Sequence, residues 1–579
     1  MAGSDEFVQR AVHALETGPA YLWIRRALAG VAVAAIALIF MFNFRGLATS
    51  QAMDQAQIGR LFLSGHLWHT NYVRPRAVGQ LQSHGKNVAR RIWVDTYNAP
   101  LPSVVDAIAL LPVKSRLQNL GKEPVYIGDK AIALMAILLF FASIFVQFLT
   151  ARRLFDRWLA VVACSLTVLC EMMWQYALSG LPQMLLLFLF NATVYVLVRA
   201  IEAKYQGGAV GPWLAALGAG FGLLALSHGL TIWIFIPALI FIAFLFRPRG
   251  WAAALVLAVF LIFYSPWLVR NWIVCGNPAG LALYSALDGI SHTETGWMQQ
   301  IVFTPEGVGP AAVRDKMLNN IIAQTGKIFQ YLGWSAVALA FFASFLHLFK
   351  KRETSITRWM LLSMWIGGVM GMAIFGMPEE QGLSANQLHL LFVPLMTCYG
   401  LAWLLVQWNR LAITIQLGRI AFIILLFLVC AFPMVNSLYG MLLGPPRAPF
   451  RWPPYIPPFI AILNKWMGPD EITASDMPWA VAWYADRPSI LVPETVKTMV
   501  DVSDYGTLGH PIAALYLTPV SGSDNKLRDI KTGEYKEWAP VILQTADISK
   551  LPFKWGTLAL GLNNECAFLS DRDRSAPAK

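Results

Sequence analysis

The stretch from Lys130 to Arg153, KAIALMAILLFFASIFVQFLTARR, decides the fold. An uninterrupted apolar run of about twenty residues is the length of a helix that crosses a hydrocarbon core, and a soluble core helix does not need one. The arginine pair that closes it marks a cytoplasmic end. Runs of the same kind occupy 27–47, 157–176, 182–200, 212–229, 231–247, 251–269, 327–349, 357–377, 385–406 and 417–440, about eleven spans in all. The whole chain of 579 residues agrees, being 57% hydrophobic and only 13% charged. That charged fraction is about half that of a soluble domain and excludes a soluble or disordered protein.

Arg25 and Arg26 precede the first run, and no small-residue cleavage site follows it, so the N-terminus reads as an uncleaved anchor starting inside. Alternating sides from there puts Arg152, Arg153 and Arg157, then Arg199 and Lys204, then Arg247 and Arg249, then Lys350, Lys351 and Arg352, and finally Arg410 and Arg419 in short cytoplasmic loops. Each cluster obeys the positive-inside rule. The formal net charge of +12 is therefore a matter of topology, and nucleic acid is not an expected partner. The expected organisation is a cytoplasmic N-terminus (1–26), a membrane domain (27–440), a Pro-rich linker (441–455) and an outside α/β domain (456–579). The long outside loops are 48–128 and 270–325. A bacterial inner membrane with this last domain in the periplasm fits the orientation.

Six cysteines are scattered without metal-ligand spacing, and Cys275 with Cys566, both in outside segments, are the candidates for a disulfide. In the last domain, Glu471–Ser475 reads as a strand, Pro478–Ala485 as a helix with Asp476 near its N-cap, and Pro488–Val492 as a second strand. Ile512–Leu517 and Val541–Leu543 are further expected strands. The aromatics Trp479, Trp483 and Tyr484 suit either packing on that sheet or contact with an acceptor.

The first outside loop opens with Met53-Asp54-Gln-Ala-Gln-Ile-Gly-Arg60-Leu-Phe62, in which Ile58, Leu61 and Phe62 share one helical face. Asp54 then sits near the start of an interfacial helix, where a carboxylate stabilises the helix dipole and is also placed to act on a substrate. The same loop carries Arg60, Arg74, Arg76, Lys86, Arg90, Arg91, Lys114, Arg116 and Lys122. Such cations bind either anionic lipid in general or a phosphate-bearing head group. Val104–Leu111, following Tyr97-Asn98-Ala99-Pro100-Leu101, reads as a second interfacial helix interrupted by Asp106.

The order of these features resembles the GT-C-fold glycosyltransferases, the superfamily of protein O-mannosyltransferases and aminoarabinose transferases, from about residue 40 to 440. The carriers are Asp54 at the head of its helix, Ala99-Pro100-Leu101 before the next one, and Pro266-Trp267-Leu-Val-Arg270-Asn271 with Gly276-Asn-Pro278. The resemblance implies transfer of a sugar from a polyprenyl-phosphate donor to a lipid, glycan or protein acceptor at the outer interface, with inversion and with Asp54 as catalytic base. It implies donor-phosphate contacts from Arg270, Arg74, Lys86, Arg90, His228 and His389, and substrate contacts from Gln57, Tyr97, Asn98, Gln183 and Asn386. Many members carry an acid at the outer start of the fourth span where this chain has Gln183, and a lysine and an arginine-tyrosine pair where it has Leu226-Ser227-His228-Gly229 and Asn386-Gln387-Leu388-His389. No cofactor is implied beyond a divalent metal used by some members. The rival readings are a lipid-linked glycan transporter and a catalytically idle scaffold subunit.

Overall fold

The computed structural model describes residues 19–89, 92–290, 296–305, 307–411, 416–448, 450–451, 454–522, 529–531, 534–542, 545, 551, 553, 555–556 and 566–574. The expected Lys130 run lies within a helix spanning Ile127–Leu154. Among the described residues six helices are long and apolar enough to cross a membrane, and Arg157–Val168 with Glu171–Ala177 makes a seventh crossing bent by 61°. Shorter apolar helices lie at Val33–Phe42, Gly211–Ser227, Gly229–Leu245 and Ala336–Leu346. Each expected span falls on one of these. The eighth differs most: Ile328–Tyr331 is a separate turn of helix, and Gly333 and Trp334 at positive φ break the chain before Ala336.

Helix Ser50–Leu63 is capped by Thr49, whose Oγ1 accepts from Ala52 N at 3.3 Å. The cap starts the helix four residues before Asp54. Asp54 is therefore in the second turn, where the dipole effect has faded, and not at the helix head. This helix crosses Pro100–Leu110 closely because Gly59 lies at the contact: a Cβ there would stand 2.9 Å from Asp106 Cβ and 3.0 Å from Ala107 N.

Eight short strands follow in chain order: β1 His69–Thr70, β2 Tyr72–Val73, β3 Trp93–Val94, β4 Ile472–Ser475, β5 Ser489–Leu491, β6 Ile512–Leu517, β7 Trp555–Gly556 and β8 Ala567–Ser570. β1 and β3 form a small antiparallel pair. The rest form one sheet, ordered β2-β5-β4-β6-β8-β7, in which β2, β5, β4 and β6 run parallel. The expected β4-helix-β5 unit is present, and its connection crosses over Pro478–Ala485. Two expectations are corrected. Ala539–Ile542 is a helix with Pro540 in its first turn, so Val541 does not begin a strand. Asp476 does not cap the helix after it; its carboxylate accepts instead from Thr518 N, Thr518 Oγ1 and Ser521 Oγ at 2.9, 2.8 and 2.7 Å. Cys275 and Cys566 are not joined in a disulfide.

β2 comes from the first long loop, some four hundred residues before β4. It pairs Tyr72 with Ser489 and Val73 with Ile490, and Ser489 N donates to Asn71 O at 2.8 Å. The C-terminal sheet is thus built across both parts of the molecule. Side chains tie the parts further. Asp129, in the first turn of its helix, accepts from Trp483 Nε1 at 2.7 Å and Tyr484 Oη at 2.9 Å. Gly46 makes room for it, since a Cβ there would stand 2.9 Å from Asp129 Oδ2. Arg60 donates to Trp483 O at 2.8 Å and Ala482 O at 2.6 Å, and pairs with Asp486 at 2.9 Å. Asp129→Ala leaves two buried donors without an acceptor and is expected to cost about 2–4 kcal/mol. Limited proteolysis checks it: cleavage near 445–455 should accelerate in the variant.

Candidate active site

A cavity of about 410 Å³ is lined by Thr49, Ser50, Asp54, Tyr72, Arg74, Tyr97, Glu379, Glu380, Asn386, Tyr455, Trp479 and Val520, among others. It is bounded by the Asp54 helix, the 376–388 turn and the carboxyl ends of the parallel strands. Those ends are where open α/β sheets present ligand sites. Tyr72 and Arg74 stand at and just beyond β2, Trp479 beyond β4, and Val520 beyond β6.

Asp54 is almost wholly buried, which an ionised carboxylate tolerates only with partners. It has three. Oδ2 accepts from Arg74 Nη2 in a very short ion pair and from Asn98 Nδ2 at 2.6 Å, and Oδ1 accepts from Gln57 Nε2 at 3.0 Å. Gln57 is itself held, donating to Thr70 Oγ1 at 2.7 Å and accepting from Asn71 N at 3.1 Å. The Arg74 guanidinium is sandwiched between Tyr72 and Tyr97, 4.0 and 4.4 Å from the ring centroids. Its other nitrogen reaches Asp95 at 3.6 Å. Burial and the neighbouring Asp54 charge hold the Asp95 carboxyl above its usual range, against the pull of Arg74 and Arg270. Burial works to lower the Arg74 pKa, but the Asp54 and Asp95 carboxylates outweigh it and keep the guanidinium charged.

On the facing wall Glu380 accepts from Ser50 N at 2.7 Å, Ser50 Oγ at 2.8 Å and Tyr455 Oη at 2.8 Å, and Trp479 Nε1 donates to Tyr455 Oη at 2.9 Å. Burial raises the Glu380 pKa above the ordinary carboxylate range, against the pull of the Ser50 and Tyr455 hydrogen bonds. Glu379 pairs with Lys327 at 3.2 Å and accepts from Tyr331 Oη at 3.1 Å.

Comparisons with known proteins fit this frame. Residues 125–285 match the family model for dolichyl-phosphate-mannose-protein mannosyltransferase. No curated protein matches the sequence. Among solved structures, ArnT from Cupriavidus metallidurans bound to undecaprenyl phosphate is similar over 96% of this chain and 99% of its own, with a TM-score of 0.56 at 13% identity. The oligosaccharyltransferase of Archaeoglobus fulgidus in complex with Zn and sulfate is similar over 84% of this chain and 68% of its own, with a TM-score of 0.50 at 14% identity. The chain has the GT-C fold.

Within the GT-C frame the expected site residues separate. Asp54, Arg74, Tyr97 and Asn386 line the cavity, while Gln57 and Asn98 stand behind Asp54 as its hydrogen-bond donors. Arg270 is not among the lining residues. It donates to Asp95 O at 2.6 Å and Trp68 O at 3.3 Å, and stacks 4.6 Å from the Trp267 ring. The Pro266-Trp267…Arg270 motif therefore braces the loop that carries Asp95. Gln183 donates to Ala385 O at 2.5 Å and so anchors the 376–388 turn. His389 is buried between Trp365 Nε1 and Gln324, and His228 accepts from Leu230 N at 3.3 Å, so neither reaches the cavity. Lys86 is exposed on the loop after helix Pro75–Ser83, away from it. Arg90 lies outside the described residues.

A divalent metal does not fit the surroundings of Asp54, because the side chains around it are donors rather than ligands. Gln183 stands at the second acid position, and no group of three or more potential ligands occurs among the described residues. Glu380 and Lys327 went unnoticed in the sequence. Both sit at chain turns between helices; tertiary structure brings Glu380 to the cavity and Lys327 to Glu379 at its edge.

Asp476, under the Val520 wall, is pushed up to about 6 by burial, partly offset by Ser521 and Thr518. A carboxyl raised on folding binds its proton more tightly in the native state, so stability should fall as pH rises from about 4 to about 6, by on the order of 3 kcal/mol from this group. Asp476→Asn should flatten that slope in thermal unfolding measured across the range.

Proposed function

We propose that the chain transfers a sugar from a polyprenyl-phosphate donor to an acceptor hydroxyl at the extracytoplasmic face of the membrane, with Asp54 as general base. The observation that carries this reading is a buried carboxyl group that lines the cavity with acceptor capacity to spare. Three of its roughly four acceptor positions are taken by Arg74, Asn98 and Gln57, and Asp54 is among the residues that line the 410 Å³ cavity. The acceptor hydroxyl gives its proton to Asp54 as its oxygen bonds to the anomeric carbon. The bond from that carbon to the phosphate oxygen breaks, and the polyprenyl phosphate leaves with the electron pair.

The departing phosphate needs a cation within reach. A side cavity of about 270 Å³, sharing Glu379 with the Asp54 cavity, is lined by Lys327, Gln324, Tyr331 and Asn320. Lys327 is half-exposed, unlike the committed Arg74, and is the better candidate for the phosphate. Arg270, Gln57, Asn98 and Gln183 act in this scheme by positioning.

The test uses purified full-length protein with polyprenyl-phosphate hexoses and pentoses labelled in the sugar, and nucleotide sugars for comparison. Release of label from the polyprenyl phosphate, and none from the nucleotide sugars, is expected. Equal use of nucleotide sugars, or no release from any polyprenyl donor, removes the proposal.

A further inference from the structure

Beside the Asp54 cavity lies a second and larger chamber of about 640 Å³, which shares Asp288 and Pro378 with it. One wall is helix Pro310–Gly326, which presents Ala312, Asp315, Lys316, Asn319 and Asn320 to it. These positions follow the i, i+3, i+4, i+7, i+8 spacing of a single helical face. The far wall is Phe375, Gly376, Met377 and Pro378. We infer that this chamber holds the acceptor, and that the acceptor is a carbohydrate.

Charge excludes the donor phosphate from it. The lining carries two carboxylates, Asp288 and Asp315, the second paired with Arg314 at 2.8 Å, against one ammonium. That ammonium is already engaged, since Lys316 Nζ donates to Ala286 O at 2.8 Å and Ser285 O at 3.5 Å. A phosphate entering would meet the Asp288 carboxylate and cations that are already engaged, whereas sugar hydroxyls would meet the acceptors of the carboxylates and both the donors and the acceptors of the asparagine amides. Phe375 and Met377 offer apolar surface for the C–H face of a ring. The volume lies within the range of pockets that enclose a whole small ligand. Because Asp288 and Pro378 line both spaces, a sugar seated here would lie next to the cavity that Asp54 lines.

The same helix shows from which side such a sugar can come. Off the chamber face, Leu318 and Ile322 are 50% and 68% exposed, alongside the exposed Arg314. Apolar side chains beside a cation suit a helix that lies at the lipid interface. Sugars borne on a lipid would therefore reach the chamber as well as free ones.

This inference rests on the proposed transfer reaction, but its test does not need turnover. Saturation-transfer NMR would be recorded on the full chain in nanodiscs, without donor. The probes are free hexose and N-acetylhexosamine trisaccharides, the same trisaccharides on an alkyl chain inserted in the disc, inorganic phosphate, and a serine-threonine peptide. Transfer to sugar protons is expected, weakened by at least about tenfold in Asn319→Trp, which fills the chamber, and kept within about twofold in Asn319→Gln. Preference for the free or the alkyl-borne sugar identifies the source, and either supports the inference. It is overturned if no sugar binds, if Asn319→Trp binds as well as the original, or if only phosphate or the peptide binds. If sugars bind as expected while no donor is ever turned over, the enzymatic reading fails and the chamber stands.

Discussion

Asp54→Asn is expected to slow sugar transfer by about 10²–10⁴-fold while leaving donor binding within a factor of a few. The substitution keeps the size and one acceptor oxygen of the side chain, so what it removes is the capacity to take a proton. The fold should survive, because Arg74 keeps a second carboxylate, Asp95, at 3.6 Å. Single-turnover kinetics with labelled donor separate the two quantities. A variant that transfers at the original rate would remove Asp54 from the reaction. One that fails to bind donor would recast it as a binding group.

Arg74→Met should have the largest effect on stability, about 3–5 kcal/mol, because it strands two buried carboxylates, Asp54 and Asp95, without their shared counter-ion. Methionine restores the bulk between the Tyr72 and Tyr97 rings, so the loss reports charge rather than volume. Lysine should rescue it only in part, since an ammonium reproduces neither the forked contact nor the stacking. The pH dependence has a definite sign. Asp95 is already held above its usual range against the pull of Arg74, and with that cation gone its folded-state pKa would rise further, so the variant should regain stability as pH falls through the carboxylate range, narrowing the gap to the original chain. Thermal unfolding in detergent at several pH values checks this, and a gap that widens on acidification would contradict it.

Much of the architecture could be read from hydropathy because a bilayer admits so few solutions: an apolar run of the right length has to be a helix. The Lys130–Arg153 stretch and its ten counterparts are of this kind. Asp54 was found by its neighbourhood, a carboxylate on an amphipathic helix beside a span. What the sequence concealed depends on distance along the chain. Tyr72-Val73 is too short to read as a strand, and nothing local says that its partner is Ser489-Ile490. Arg270 looks like a phosphate ligand by type, yet backbone carbonyls of Asp95 and Trp68 occupy its donors. Val541–Leu543 shows the converse failure, since a short apolar run does not say whether it is helix or strand until its flanking proline is weighed.

The pairing of β2 with β5 has a consequence for how the protein is made. Synthesis delivers the edge strand of the sheet early, with the first long loop, and the strands it must join only after the last membrane helix has emerged. Until then residues 71–74, including the arginine that neutralises Asp54, have no sheet to be anchored to. The candidate site is therefore expected among the last parts of the molecule to take shape, because a contact closing a loop of about four hundred residues follows the local ones. A chain that stops short of Ser489 would be inserted in the membrane yet lack an assembled site. A C-terminal fragment alone would expose the β5 edge that β2 normally covers, an invitation to aggregate. The long separation between the halves of this sheet ties assembly of the candidate site to the arrival of residues some four hundred positions further along the chain.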